Sequence, residues 1–113
     1  MERRECPRYL VCVEIEIVDR GSRIPSRGNT TDVSLSGCYV ATIFPLPVGA
    51  VVDIQMRIAD GHIKGYGSVQ TCHRGVGMGI KFADLTRDAI DRLDAYLQTV
   101  NSASAGEAAL ILQ

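Results

Sequence analysis

Apolar and polar residues alternate with a period of two in segment after segment of this chain. Val11, Val13, Ile15 and Ile17 alternate with Cys12, Glu14 and Glu16, and Val52, Ile54, Met56 and Ile58 alternate with Asp53, Gln55 and Arg57. Successive side chains of a strand point to opposite faces, so each run predicts a strand with one buried face. The connections between the runs are short. Parallel pairing needs a crossover of about a dozen residues or more, so antiparallel pairing is expected.

The pattern predicts strands over 9–18, 30–35, 38–43, 51–58, 62–72 and 78–83. Residues 19–29 hold Gly21, Pro25, Gly28 and Asn29 with three arginines and read as a loop. Ser36-Gly37 separates two of the strands, and Pro45, Pro47 and Gly49 mark a turn. Asp60-Gly61 is a hairpin signal, and Gly65 and Gly67 suggest a bulge or tight bend in the strand that follows. The period then changes: Ile90, Leu93, Leu97 and Val100 fall at helical spacing. Asp84 or Thr86 can cap a helix over 86–100, and Asp88 sits in its first turn, where negative charge suits the helix dipole. Many short strands leave edges, which a barrel removes. The expected fold is therefore mainly β: a small six- to seven-stranded antiparallel β-barrel over 9–83 with a C-terminal α-helix over 86–100. Residues 1–8 precede the barrel, and 101–113 form a tail with a polar linker and an apolar end, Ala108–Leu112.

A chain of 113 residues is one domain's worth, and 46% hydrophobic with 22% charged residues is ordinary globular composition. Twelve Lys and Arg stand against thirteen Asp and Glu, which argues against a broad polyanion-binding surface, nucleic acid included. No run reaches the roughly 18 apolar residues of a membrane span, and the first eight residues lack the apolar core of a secretory signal. Cys6, Cys12, Cys38 and Cys72 form no C-x-x-C pair and are not spaced with His62 or His73 as zinc ligands. They read as reduced, mostly buried thiols of a cytoplasmic protein. His62 and the Cys72-His73 pair are the only candidates for a nucleophile or base, and no phosphate loop or nucleophile elbow accompanies them. An enzyme is not expected.

Two constellations carry chemistry. Arg3, Arg4 and Arg8 lie within six residues just before the first strand, with Pro7 breaking any helix there. An arginine fork matches a guanine edge or two phosphate oxygens, and its flat face stacks on a base. The second is Asp32-Val33-Ser34-Leu35-Ser36-Gly37. Strand alternation puts Asp32, Ser34 and Ser36 on the outer face, where a carboxylate can accept from two guanine donors. Gly37 allows positive φ and close approach of backbone. Each segment alone also reads as ordinary surface.

Together and in order, they resemble the PilZ domain family. Its R-x-x-x-R appears as Arg4-Glu5-Cys6-Pro7-Arg8, its [D/N]-x-S-x-x-G as Asp32 to Gly37, and a G-x-G-h-x-F segment as Gly77-Met78-Gly79-Ile80-Lys81-Phe82. The resemblance spans about residues 3–100. It implies a non-catalytic bacterial receptor for cyclic di-GMP, with no other cofactor. By matching position, Arg4 and Arg8 would engage guanine edges and phosphates, Asp32 and Ser34 a guanine, and Gly37 would let the ligand lie close. Arg3, just ahead of the motif, would stack on a base and favour two intercalated ligand molecules. Arg74 is a further candidate contact. The signal would pass to an unidentified protein partner as the N-terminal loop orders, from a monomer or weak dimer. The alternative is a protein-interaction adaptor on the same barrel that binds no ligand.

Overall fold

The computed structural model describes residues 6–59 and 61–112, with 101–112 as backbone only. Seven strands and one helix lie among them: β1 (Tyr9–Leu10), β2 (Glu14–Asp19), β3 (Pro25–Val33), β4 (Gly37–Ala41), β5 (Val51–Ile58), β6 (Gly61–His73), β7 (Gly77–Asp84) and α1 (Arg87–Leu112). Every pairing is antiparallel. The strands run β1-β3-β2-β5-β6-β7-β4, and a further β3–β4 pairing closes six of them into a barrel, leaving β1 as an extra strand. The expected barrel with its C-terminal helix is thus the observed architecture.

Closure depends on β3 serving two partners along one edge. Its first half pairs with β2, from Pro25 opposite Val18 to Asn29 opposite Glu14. Its end pairs with β1, Tyr9 opposite Val33 and Leu10 opposite Asp32. The switch falls at Thr30, whose buried hydroxyl accepts from Val13 N–H at 2.9 Å and donates to Val11 C=O at 2.7 Å. One threonine side chain thereby stands in for the ladder across residues 11–13, which divides the single strand expected over 9–18. Residues 25–29, expected as loop, are strand instead. Pro25 takes the first strand position, where its missing N–H costs no ladder bond. Gly28 fits because a Cβ there would come within 2.9 Å of Val40 Cγ1 and 3.1 Å of Ala41 O.

The barrel interior is the predicted apolar set apart from Val11, which is half-buried. Val13, Ile15, Ile17, Val52, Ile54, Met56 and Ile58 are all buried, joined by Val33, Val40, Ile63, Val69, Met78 and Ile80 from the remaining strands. Each such side chain contributes roughly 1.5–3 kcal/mol when fully removed from water. β5 and β6 form the expected hairpin, with Ile58 opposite Gly61; Asp60 lies outside the described residues. The register of β6 against β7 shifts between Tyr66 and Gly67 and again between Val69 and Thr71, the irregularity the two glycines suggested. Thr86 caps α1, its Oγ1 accepting from Ala89 N–H at 3.0 Å. The helix buries Ala89, Leu93 and Leu97 rather than Ile90, which is half-exposed. Its backbone continues to Leu112, beyond the expected end at Val100, because residues 101–112 contain no proline and several good helix formers.

Candidate functional site

The β1–β3 pairing brings the two arginine- and aspartate-bearing segments together. Leu10 lies opposite Asp32, and two residues further back Arg8 Nη1 donates to Asp32 Oδ1 at 2.6 Å. The residues are 24 apart in sequence. The Arg8 side chain is 54% exposed and that of Asp32 20%, so the pair meets water and contributes under about 1 kcal/mol to folding. Its strength is positional: it holds a guanidinium fork and a carboxylate side by side.

Arg8 forms one wall of an open cavity of about 280 Å³ on the outside of the barrel. The β3–β4 turn supplies Ser34, Ser36 and Gly37, β4 supplies Tyr39, β6 supplies Gln70 and Thr71, and β7 supplies Gly79 and Lys81. Two cations, Arg8 and Lys81, therefore line one cleft together with hydroxyls and an amide. Tyr39 has its hydroxyl 2.9 Å from His73 Nδ1, their rings tilted at 32°. Thr71 Oγ1 accepts from Gly79 N–H at 3.1 Å, pinning the β6 irregularity beneath the cleft.

Three expectations need correction. Ser34 does not share an outward strand face with Asp32, because β3 ends at Val33 and Ser34 turns inward to 4% exposure. Its hydroxyl accepts from Ser36 N–H at 3.1 Å and lies 3.0 Å from Ser36 Oγ, while its N–H donates to Gly37 C=O at 2.8 Å. Ser34 thus builds the turn that shapes the cleft. Gly37 lines the cleft but does not adopt positive φ. A Cβ there would collide with Ile80 O and come within 3.3 Å of Lys81 Cα, so its missing side chain serves the β4–β7 contact. Arg74 is not part of the cleft wall; it lies exposed in the β6–β7 turn. Arg3 and Arg4 lie outside the described residues.

Tyr39, Gln70, Thr71 and Lys81 were not singled out from the sequence. A signal existed for two of them. Tyr39 alternates with buried Cys38 and Val40, and Lys81 with buried Ile80 and Phe82, so both had to face outward.

The thiols are less uniform than expected: Cys38 is buried, Cys6 and Cys72 are half-buried and Cys12 is exposed. Burial pushes the Cys38 thiol up to about 12, with the charge of Asp32 adding to the shift and Arg8 opposing it. Thiolate is the reactive form. Cys12 should therefore react first with a maleimide in the native protein, and Cys38 only on unfolding. Mass mapping of the modified sites checks this, and early modification of Cys38 would contradict the packing described.

The structure is thus a small closed barrel with a polar, cation-lined cleft on its outer wall. The PilZ domain family model matches residues 2–99, and the chain belongs to the PilZ domain family. Solved structures share the fold. The PilZ domain of YcgR from Escherichia coli, solved with cyclic di-GMP, matches at TM-score 0.77 and 13% identity over 95% of this chain and 98% of that one. The Bacillus subtilis inhibitor of motility matches at 0.75 and 14% over 94% of this chain and 53% of its own. The MrkH–cyclic di-GMP complex of K. pneumonia matches at 0.75 and 17% over 93% of this chain and 54% of its own. The chain thus spans about half the length of the latter two. A search of curated proteins finds no match. No helix among the described residues is long and apolar enough to cross a membrane.

Proposed function

We propose that this chain is a receptor for cyclic di-GMP and that the ligand occupies the cleft beside Arg8 and Asp32. The observation that carries this reading is the 2.6 Å contact between those two residues at the edge of a cleft that also holds Lys81 and Tyr39. Cyclic di-GMP carries two phosphate charges and two guanines. Arg8 and Lys81 offer cations, Asp32 an acceptor for a guanine Watson–Crick edge, and Tyr39 a ring for stacking. Arg4 completes the arginine pair of the family motif, and Arg3 supplies a further flat cation. Two of the neighbours were solved with this ligand.

The reading is of binding rather than catalysis. Ligand phosphates draw residues 1–8 against the cleft, and a protein partner reads the ordered segment. Calorimetric titration with cyclic di-GMP and with GMP tests the proposal. The cyclic dinucleotide should bind with the greater affinity. Two molecules per chain would support stacking on Arg3, and one would count against it. No binding of the cyclic dinucleotide would leave an adaptor that works through partners alone.

A further inference from the structure

Six of the seven exposed large apolar side chains among the described residues lie at one end of the barrel: Ile24, Ile43, Phe44, Val48, Val51 and Val76, the exception being Leu10. They come from three connections and the first residue of β5, which hydrogen bonds join into a continuous crown. Thr42 N–H donates to Val76 C=O at 3.0 Å, tying the β4–β5 loop to the β6–β7 turn. Gly49 N–H donates to Val69 C=O at 2.8 Å, and Arg20 N–H donates to Val51 C=O at 2.9 Å, tying in the β2–β3 turn. Phe44 is 81% exposed and Ile43 and Ile24 are 66% exposed, so these are projecting tips rather than the walls of a groove.

The charges around the tips are uneven in their availability. Asp19 is held by the turn it caps: Gly21 N–H and the N–H and hydroxyl of Ser22 donate to its carboxylate, and these bonds hold it below the ordinary value of 3.8. Asp53 accepts twice from Arg20, at 2.8 and 3.1 Å, and Arg20 stacks on Tyr66 at 4.4 Å. Arg23 and Arg74, one in each outer turn, form no salt bridge among the described residues, although the charge of Arg23 helps Arg20 hold the Asp53 carboxyl below its ordinary value. Arg23 holds φ at 65°, a region that glycine would occupy more cheaply. The β4–β5 loop, residues 42–50, carries no charge at all.

We infer that this crown docks on an anionic lipid surface, with Phe44 and Ile43 inserting at the headgroup–acyl boundary and Arg23 and Arg74 meeting headgroup phosphates. Separate apolar tips suit a fluid interface, which needs no matching shape, whereas a protein partner would have to supply pockets in register for each. Apolar insertion and cation–phosphate attraction add in such binding. The inference does not depend on ligand binding at the cleft.

The chain has no tryptophan, so Phe44→Trp gives a single emission reporter at the tip. The 113-residue chain carrying it is mixed with vesicles of phosphatidylcholine alone and of phosphatidylcholine with phosphatidylglycerol, without cyclic di-GMP. A blue shift and co-sedimentation with the anionic vesicles only is the expected result. In the otherwise native chain, Ile43→Ser with Phe44→Ser should weaken co-sedimentation at least about tenfold, and Arg23→Glu with Arg74→Glu by a similar factor. All four side chains project into solvent, and circular dichroism confirms that the variants fold. Co-sedimentation without a blue shift, or one indifferent to Phe44, overturns apolar insertion. Concentration-dependent self-association that Phe44→Ser abolishes, without vesicle binding, assigns the crown to a second copy and overturns the lipid proposal. Silence in both assays overturns it too, leaving the crown to a protein partner.

Discussion

Asp32→Ala should lower the proposed affinity for cyclic di-GMP at least about tenfold, and Arg8→Ala should do the same. The two losses have different chemistry. Arg8 loses a fork that can take a guanine edge or two phosphate oxygens, and a well-made pair of this kind is worth roughly 1–3 kcal/mol. Asp32→Ala would remove the acceptor proposed to take two guanine donors at once. Because the residues already touch at 2.6 Å, their effects should not add in the double variant. Folding should hardly change, since each residue left behind reaches water and the pair contributes under about 1 kcal/mol. Calorimetry and a thermal melt on the same samples separate the two readouts. Wild-type affinity in both single variants would sink the site assignment.

Gly37→Val should destabilise the fold by about 2 kcal/mol or more. A Cβ at this position meets backbone, the Ile80 carbonyl, which cannot rotate aside as a side chain would. Gly37 is also the first residue of β4 and pairs with Lys81, so a shift there disturbs the strand contact that carries the cleft's second cation. For a domain of this size the cost corresponds to a fall in Tm of at least roughly 8 °C. The family resemblance alone assigns Gly37 to ligand approach and predicts weaker binding with an unchanged melt. A normal Tm with reduced affinity would favour that reading and contradict the packing argument.

The legible parts of this protein are the local ones. Alternation in β2 and β5 named the buried faces correctly, and helical spacing found Leu93 and Leu97. The three motif segments were visible as strings. The misreadings share a cause. Pro25, Gly28 and Asn29 look like a loop until a partner strand is present, because their strand conformation rests on pairing with β2 and on space left for Val40. Ser34 looks outward until β3 stops at Val33 and its hydroxyl finds Ser36. Helix propensity in the tail was outweighed by the small, polar look of residues 101–107, yet the backbone from there to Leu112 is helical.

The order of amino acids alone was enough for the mainly antiparallel β architecture, the single closing helix and the arginine and aspartate strings, since each depends on periods and spacings within a few residues. Only the folded barrel decided that Arg8 meets Asp32, that Tyr39 and Lys81 share their cleft, and that Arg74 stands apart from it. It also gathered apolar tips from three connections at one end. Those facts follow from strand register and barrel closure between segments far apart in the chain, and a slip of one residue in a strand would turn each of its side chains to the opposite face.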